Sequence, residues 1–447
     1  AGIIPHARPS SRVRARESPM IRPFSPGLAA AALLIAALDA VAAEQPEAGE
    51  LLATFTVDAG ASDRLDTPVS ASLDGLVLDP ASRVLELHEV VGDRREPTPA
   101  QVAGDLVPRL WWILKGRSPA GSTRTFELVA RPRTQGDAPP VPAVTVANDA
   151  KTLTLSVGAR PTLRYQYAPI PAPPGASPLY SRGGFIHPVW SPGGGVLTRT
   201  QPPDHYHHVG LWNPWTRTEF EGRKIDFWNL GDGQGTVRVK ALLSTTADAV
   251  FGGFRALHEH VDLKAPGGPK VALHEEWTVR VWSADRERGA WLVDFVSTMS
   301  PATESPLTIE EYRYQGFGLR AAAAWDDETA TLLTSEGKDK SDGNATRARW
   351  CDVRGPVEGG EAGIVFMSHP ANFNHPEQIR IWPTGMNEGK ENVFFNFNPA
   401  MDRDWTLEPG RNHTLRYRML VYDGAVDANQ ADRHWRDFAY PPRVTRQ

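Results

Sequence analysis

The sequence has 447 residues with a formal net charge of −5, and it contains 39 Gly, 39 Pro and one Cys. This length exceeds that of a single typical core, so it predicts two or three domains. The acidic balance argues against nucleic acid as a partner, and a single cysteine excludes an internal disulfide. The many turn-forming residues favour an all-β protein of short strands.

The N-terminal segment has the organisation of an export signal. Met20 and Arg22 precede an apolar run over residues 27–38, and small residues follow it up to Ala43. This run is shorter than the roughly 20 residues that cross a bilayer, and no later stretch qualifies, so we expect no transmembrane domain. We expect residues 1–43 to be a leader and signal peptide, of which the part before Met20 is excluded from the fold. The mature protein is then exported and is periplasmic or extracellular.

Residues 44–135 predict a small N-terminal β-sandwich domain. Apolar and polar residues alternate over residues 51–57, 84–90 and 123–129, which is the pattern of half-buried strands. Short strands with intervening turn residues fit a small sandwich. The stretch at 131–142 is rich in Pro, Gly and polar residues, so we place a domain boundary there.

Residues 136–447 predict a large antiparallel β-sandwich. Its candidate strands include residues 152–157, 237–240, 291–296 and 415–422. In the stretch from Glu276 to Trp282, every second residue is apolar, which points one face inward. Only residues 426–438 have helical spacing, and they predict a C-terminal helix with one apolar side, formed by Ala428, Ala431, Trp435 and Phe438.

The segment at residues 204–208 contains an aspartate and three histidines, and it is the strongest candidate for chemistry. A neutral imidazole can act as a base, an acid or a metal ligand. We expect His207 and His208, with His187, to be catalytic. If the segment is extended, His205 and His207 share a face and could hold a divalent metal, although no cofactor is required. Asp204 either orients an imidazole or caps a turn.

Aromatic side chains surround the histidines in the sequence: Trp190, Trp212, Trp215, Phe227 and Trp228. Aromatic faces beside polar groups suit sugar rings, which have apolar C–H faces and hydroxyls that need hydrogen bonds. We therefore expect Asp204, Trp212 and Trp228 to bind a small-molecule or glycan substrate. The alternative is that several of these rings fill the core.

Three further groups of residues are candidates for the same site. Glu310 and Glu311 could supply a catalytic carboxylate from a strand, or they could be ordinary exposed glutamates. Arg182 and Arg320 could bind an anionic or hydroxyl-rich substrate. A loop rich in Asn, His and Pro contributes two more binding candidates, although such residues also shape turns, and these are His369 and Asn372.

Motifs across most of the chain resemble a family of exported bacterial proteins labelled PmoA-like, or methane oxygenase PmoA. The matching segments are residues 180–188, 191–193, 204–211, 226–228, 316–320, 348–352 and 369–372. The resemblance implies an extracytoplasmic partner of polysaccharide-degrading systems. It also implies a large domain similar to the sandwiches of sugar mutarotases and polysaccharide lyases, in which histidines pair with a carboxylate.

Three hypotheses for the function follow. The first is a carbohydrate-active enzyme of hydrolase, lyase or epimerase type that uses histidine and carboxylate acid–base chemistry. The second is a non-catalytic glycan-binding protein that uses the same residues for recognition. The third is a metal-dependent oxygenase, as the family label suggests.

Overall fold

The computed structural model describes residues 49–104, 107–138, 141–284 and 289–447. The predicted leader and signal peptide lies outside these residues. The described residues belong to one compact unit. Strands make up about 51% of the structure and helices about 6%, so the prediction of an all-β chain is confirmed.

The N-terminal part of the unit is a small sandwich of two antiparallel sheets. Its strands are β1 (Glu50–Asp58), β2 (Arg64–Ser72), β3 (Arg83–Val91), β4 (Arg94–Thr98), β5 (Ala100–Ala103), β6 (Arg109–Ser118), β7 (Thr123–Pro132) and the last strand of the chain, β28 (Arg443–Arg446). One sheet has the order β28-β1-β7-β3-β4, and the other has the order β2-β6-β5. Apolar side chains of both sheets share one core, in which Phe55 and Trp112 are completely buried.

The larger part of the unit contains two eight-stranded sheets. The first has the order β24-β25-β20-β12-β11-β10-β9-β8 and consists of β8 (Val144–Asn148), β9 (Thr152–Val157), β10 (Arg160–Gln166), β11 (Phe185–Val189), β12 (Leu211–Trp212), β20 (Gly318–Arg320), β24 (Gln378–Ile381) and β25 (Phe394–Asn398). The second has the order β15-β16-β17-β18-β27-β23-β22-β21 and consists of β15 (Gly235–Thr246), β16 (Phe251–Asp262), β17 (Lys270–Trp282), β18 (Ala290–Pro301), β21 (Thr331–Thr334), β22 (Trp350–Val357), β23 (Gly360–Ser368) and β27 (His413–Asp423).

A smaller sheet lies in the same part of the chain. It has the order β14-β13-β19-β26 and consists of β13 (Thr218–Phe220), β14 (Arg223–Ile225), β19 (Leu307–Ile309) and β26 (Trp405–Leu407). Among the described residues, short helical turns connect strands at Pro178–Tyr180, Leu230–Asp232 and Met386–Gly389. The pairings within these sheets are antiparallel, as expected for short connections.

The predicted alternation explains how the large sandwich buries its core. Along β17, Trp277, Val279 and Val281 are buried, whereas Thr278 and Arg280 between them are partly exposed. These side chains join a single apolar core to which both eight-stranded sheets contribute. Burial of such side chains stabilises each by about 1.5–3 kcal/mol relative to exposure.

The predicted C-terminal helix, α1, spans Ala428–Ala439. Asp427 accepts a hydrogen bond from the Gln430 backbone N–H, and the Gln430 side chain accepts one from Asp427, which forms a capping box. Ala431 and Trp435 are buried against the second eight-stranded sheet as expected, although Ala428 is exposed. Among the described residues, no helix is long and apolar enough to cross a membrane.

Candidate functional site

The three neighbouring histidines lie on the connection between β11 and β12, which makes two successive turns. The backbone N–H of His205 donates to the Pro202 carbonyl at 2.9 Å, and that of His208 donates to the His205 carbonyl at 3.0 Å. The extended conformation considered for this segment is therefore wrong. The turns bring all three rings together, with centroids 4.6 Å apart for His205 and His208 and 4.7 Å apart for His207 and His208.

A cavity of about 300 Å³ opens beside these histidines. The three imidazoles form part of its wall, and the remainder is aromatic and polar: Thr216, Trp228, Asn229, Tyr312, Arg313, Tyr314 and Trp382. These side chains come from the connections that follow β11, β12, β14, β19 and β24. The cavity is therefore built by loops at one side of the sandwich, where binding residues are commonly found.

Asp204 holds the imidazole of His205 in a defined orientation. Its Oδ2 accepts a hydrogen bond from His205 Nδ1 at 2.9 Å and one from Arg320 Nη2 at 2.5 Å. Burial alone would raise the pKa of Asp204, but the hydrogen bond from His205 and the charge of Arg320 lower it below its ordinary value. Because Nδ1 donates to the carboxylate, Nε2 is the nitrogen that carries no hydrogen whenever the ring is neutral.

Arg320 is completely buried and fixes His208 as well as Asp204. It donates to the Glu391 carbonyl at 2.9 Å and to His208 Nδ1 at 3.3 Å. A guanidinium can only donate, so His208 Nδ1 is the acceptor and we infer that its proton is on Nε2. Burial, together with His207 and Arg320, lowers the pKa of His208 well below its ordinary value. This ring is therefore neutral at physiological pH.

His207 is the histidine whose nitrogens are open to a ligand. Within the described part of the chain, neither of its ring nitrogens has a hydrogen-bond partner. Burial lowers the pKa of His207 to about 3, and the charges of His205 and Arg182 add to this effect. His207 is consequently neutral at physiological pH and can exchange hydrogen bonds with a hydroxyl, but it is a weak base.

Tyr314 presents a hydroxyl whose proton is free. Arg380 Nη2 donates to Tyr314 Oη at 2.6 Å, and the same guanidinium lies 4.6 Å from the centre of the tyrosine ring. Because Oη accepts this bond, its own hydrogen is available to donate to a bound molecule. The contact also fixes the phenol on the cavity wall.

A second cavity of about 530 Å³ adjoins the first. The two share three wall residues, Thr216, Asn229 and Tyr312. In the second cavity, Glu310 forms an ion pair with Lys224 at 2.5 Å. Asp226 accepts hydrogen bonds from two backbone N–H groups at 2.7 and 2.8 Å, and burial raises its pKa. Because they share these wall residues, the two cavities form one continuous cleft, and its volume exceeds that of a single small molecule.

A family model described as a family of unknown function (DUF6807) matches residues 152–436. This chain belongs to the DUF6807 family. The matched segment includes every residue that lines the two cavities. No curated protein matches the chain.

The metal prediction for this DUF6807 chain concerned His205 and His207. Their ring centroids lie 5.4 Å apart with the planes at 79°, and Nδ1 of His205 is already bonded to Asp204. Across the residues that the structure describes, no three His, Cys, Asp or Glu side chains are grouped so as to hold a metal ion. The pair therefore lacks the further protein ligands that a metal centre commonly has.

Several predicted site residues do not line the cavity of this DUF6807 member. His187 Nδ1 lies 2.9 Å from Thr198 Oγ1, and burial lowers its pKa to about 4. Trp212 is completely buried behind the wall, with its ring centroid 5.3 Å from that of His208. The exposed Glu311 is likewise absent from the wall. The structure therefore does not bring His187, His207 and Glu310 or Glu311 together in one cavity.

Glu310 and Glu311 were expected on a strand, but residues 310–317 form a loop between β19 and β20. Hydrogen bonds that involve side chains replace strand pairing here. The backbone N–H of Glu311 donates to the Asp404 carboxylate at 2.7 Å, and the Gln315 side chain donates to the Glu310 carbonyl at 2.6 Å. As a result, Glu310 reaches only the adjoining cavity.

Arg182 belongs to a buried polar cluster in the core of the large sandwich. Burial lowers its pKa to about 10, although Glu275 and Tyr165 act in the opposite direction. Glu275 bonds to His260 Nε2 at 2.8 Å, and Tyr165 Oη lies 2.5 Å from His258 Nε2. Arg182 does not line the cavity, but its charge reaches His207 and lowers the pKa of that ring.

His369 and Asn372 lie on a different face of the fold. The ring of His369 packs edge-on against Phe438 of α1 at 5.1 Å. The Asn372 side chain donates to the Arg416 carbonyl at 2.9 Å and accepts from the Arg416 N–H at 2.7 Å. It also donates to Glu377 at 3.0 Å. These contacts anchor a loop to β27, and they give neither residue a position on the cavity wall.

Sequence reasoning did not identify most of the cavity wall. Tyr312, Tyr314 and Trp382 were not among the predicted site residues, although all three line the cavity. The missed signal was the concentration of aromatic residues with arginines at 312–314 and 380–382. That pattern indicates packed guanidinium and ring pairs, but it does not show which cavity they face.

Proposed function

We propose that this chain is a carbohydrate-active enzyme in which His205 is the general base and Tyr314 the proton donor. The observation that carries the proposal is His205, which lies on the wall of an aromatic cavity and is hydrogen-bonded to Asp204. A carboxylate that accepts from Nδ1 sets the tautomer in which Nε2 can remove a proton. His205 is also partly exposed, with 35% of its side chain accessible, whereas His208 is only 2% exposed.

The composition of the cavity wall supports a sugar as the substrate. The partly exposed rings of Tyr312 and Tyr314 offer aromatic surface for the apolar face of a sugar ring, and Asn229 and Thr216 offer polar groups for hydroxyls. Trp228 and Trp382, which are 2% and 1% exposed, support the wall from behind. His207, neutral and without a partner in the described residues, can bind one more hydroxyl. The cavity volume of about 300 Å³ is at the lower end of ligand sites, which suits a single sugar unit.

The same wall favours a proton-transfer reaction over hydrolysis by two carboxylates. Glycoside hydrolysis usually needs an acid and a base or nucleophile, both Asp or Glu, on either side of the bond. No carboxylate belongs to the wall of the 300 Å³ cavity in the described structure, and Glu310 lies in the adjoining cavity in an ion pair with Lys224. We therefore favour an epimerase or lyase, in which His205 removes a proton and Tyr314 supplies one.

The experiment is NMR in D₂O with a panel of sugars and oligosaccharides, in which proton exchange at carbon or a new product is measured. We expect turnover by the unaltered protein and a loss of about 10²–10⁴-fold in His205→Asn and in Tyr314→Phe, the range for a general acid or base. His88→Asn is the matched control, since His88 lies on β3 of the small sandwich.

Retention of full turnover by folded His205→Asn would contradict the assigned base. Binding of a glycan with no exchange and no product would instead indicate the non-catalytic alternative. We also propose that the protein acts after export, in the periplasm or outside the cell. Fractionation of cells that produce the full-length chain tests that part, and a purely cytoplasmic signal contradicts it.

A further inference from the structure

We propose that the substrate is an acidic glycan, and that Arg313 and Arg217 bind its carboxylate or sulfate groups. This inference rests on the proposed function, because it specifies the ligand of the same cleft. Arg313 lines the first cavity and Arg217 lines the adjoining one. Both flank Tyr312, which belongs to the walls of both cavities.

The side chains of these two arginines are held in place by rings and lack acidic partners. The guanidinium of Arg313 lies 5.3 Å from the ring centre of Tyr314, and that of Arg217 lies 5.0 Å from the ring centre of Tyr312. In the described structure, neither guanidinium forms an ion pair or a hydrogen bond. Both residues are exposed, so their donors face solvent in the cleft.

Other arginines near the cleft have acceptors of their own. Arg320 bonds to Asp204 at 2.5 Å, Arg199 donates to the Glu391 carbonyl at 3.2 Å, and Arg380 donates to Asn344 at 2.8 Å. Their donors are therefore used within the protein, whereas those of Arg313 and Arg217 are not.

The acidic groups of the cleft are already neutralised or hydrogen-bonded. Glu310 pairs with Lys224, and Asp226 accepts bonds from the backbone of Trp228 and Asn229. No acidic side chain lies on the wall of the first cavity as described. The described walls of the two cavities carry three cationic side chains, Arg217, Lys224 and Arg313, and two acidic ones, Asp226 and Glu310. The positive groups on these walls therefore outnumber the negative ones, and a planar guanidinium matches a carboxylate or sulfate with two parallel hydrogen bonds.

Calorimetry measures the affinity of the full chain for each oligosaccharide, and turnover is not used as a readout in this test. The probes are a panel of uronate oligosaccharides, the same oligosaccharides after reduction of the carboxyl groups, and sulfated oligosaccharides. We expect at least one acidic oligosaccharide to bind roughly tenfold or more tightly than its neutral form, as a charge-assisted hydrogen bond implies. The preference should weaken as the salt concentration rises. The uronate and sulfated arms show which acid the cleft prefers.

Single substitutions test whether the two arginines cause the tighter binding of acidic oligosaccharides. Arg313→Ala and Arg217→Ala should each reduce it several-fold, and Arg313→Lys should keep part of it because the charge remains. Arg443→Ala is the matched control, since Arg443 is exposed on β28 of the small sandwich. Far-UV circular dichroism and a melting curve verify the fold of each variant.

Equal affinity for acidic and carboxyl-reduced forms would overturn the inference, as would failure to bind any acidic oligosaccharide. A preference unchanged in both alanine variants would also overturn it. These outcomes are separate from those of the proposed function. An acidic glycan that binds through the two arginines without proton exchange contradicts the enzyme but not this inference, and turnover of neutral sugars with no charge preference contradicts only this inference.

Discussion

Replacement of Asp204 by Asn tests whether the carboxylate supports the site. Arg320 is fully buried, and Asp204 is its carboxylate partner, with 18% of its own side chain exposed. Removing one member of a buried pair costs about 3–5 kcal/mol, because the remaining charge loses its compensation. Arg320 keeps its bond to the Glu391 carbonyl, so we expect the lower end, about 3 kcal/mol of unfolding free energy.

The assay is urea denaturation at pH 7, followed by tryptophan fluorescence. Asp402→Asn is the matched control, because Asp402 and its partner Arg347 are about one third exposed. Such a pair contributes about 1 kcal/mol or less. A loss for Asp204→Asn no larger than that for Asp402→Asn would refute the reasoning. The double variant Asp204→Asn with Arg320→Met should recover part of the loss, because it also removes the buried charge.

The pH dependence of the same variant supplies a second test. The pKa of Asp204 in the folded protein lies below its ordinary value, once the hydrogen bond from His205 and the charge of Arg320 outweigh burial. Its contribution to stability is therefore complete above the unfolded pKa of about 4 and is lost as the pH falls towards the folded pKa. The stability difference between the unaltered protein and Asp204→Asn should shrink below about pH 4. A difference that stays constant or grows on acidification would contradict this.

Three further predictions concern other residues of the cavity. Tyr314→Phe should reduce kcat about 10²-fold or more, and it should also lower the free energy of unfolding by about 1–3 kcal/mol, because the buried Arg380 loses the acceptor of its 2.6 Å bond while the ring contact remains. Trp382→Ala should lower the free energy of unfolding by about 3–5 kcal/mol in urea, because the side chain is 1% exposed. The pKa of His207 is lowered to about 3, so the unfolded chain binds more protons below about pH 6.5, and stability should fall as the pH drops from there towards 3. His207→Asn should remove part of that acid sensitivity.

Strands such as β17 were predictable because one of their faces lies in the core and the other does not. The alternation at Trp277, Val279 and Val281 follows directly from a pleated strand with one buried side. The helix at the C-terminus was predictable for the same kind of reason, since Ala431 and Trp435 recur at helical spacing. The pairing of β28 with β1 was not predictable. The paired residues lie some 390 positions apart in the sequence, so no local pattern signals their contact.

The site was only partly predictable for a related reason. The histidines lie within five residues, so their concentration was visible in the sequence. The partners that define their chemistry come from distant strands and loops: Arg320 from β20, Tyr314 from the loop before it, and Trp382 from the end of β24. Glu310 and Glu311 were expected on a strand, but the Gln315 side chain donates to the Ala400 carbonyl and the Asn396 side chain donates to the Gln315 carbonyl, and these bonds hold residues 310–317 as a loop.

The convergence of the histidines depends on one position outside the motif. Gly210 has a φ of +57°, a conformation that favours glycine. A Cβ added there would lie 2.2 Å from the Ile186 carbonyl oxygen and 2.9 Å from His187 Cβ, so any larger residue would force β11 and the loop apart. The two turns before Gly210 would then lose their anchor on β11. We therefore expect the three imidazoles to converge only while Gly210 is kept, so the spacing of histidines in the sequence does not by itself show whether their rings meet.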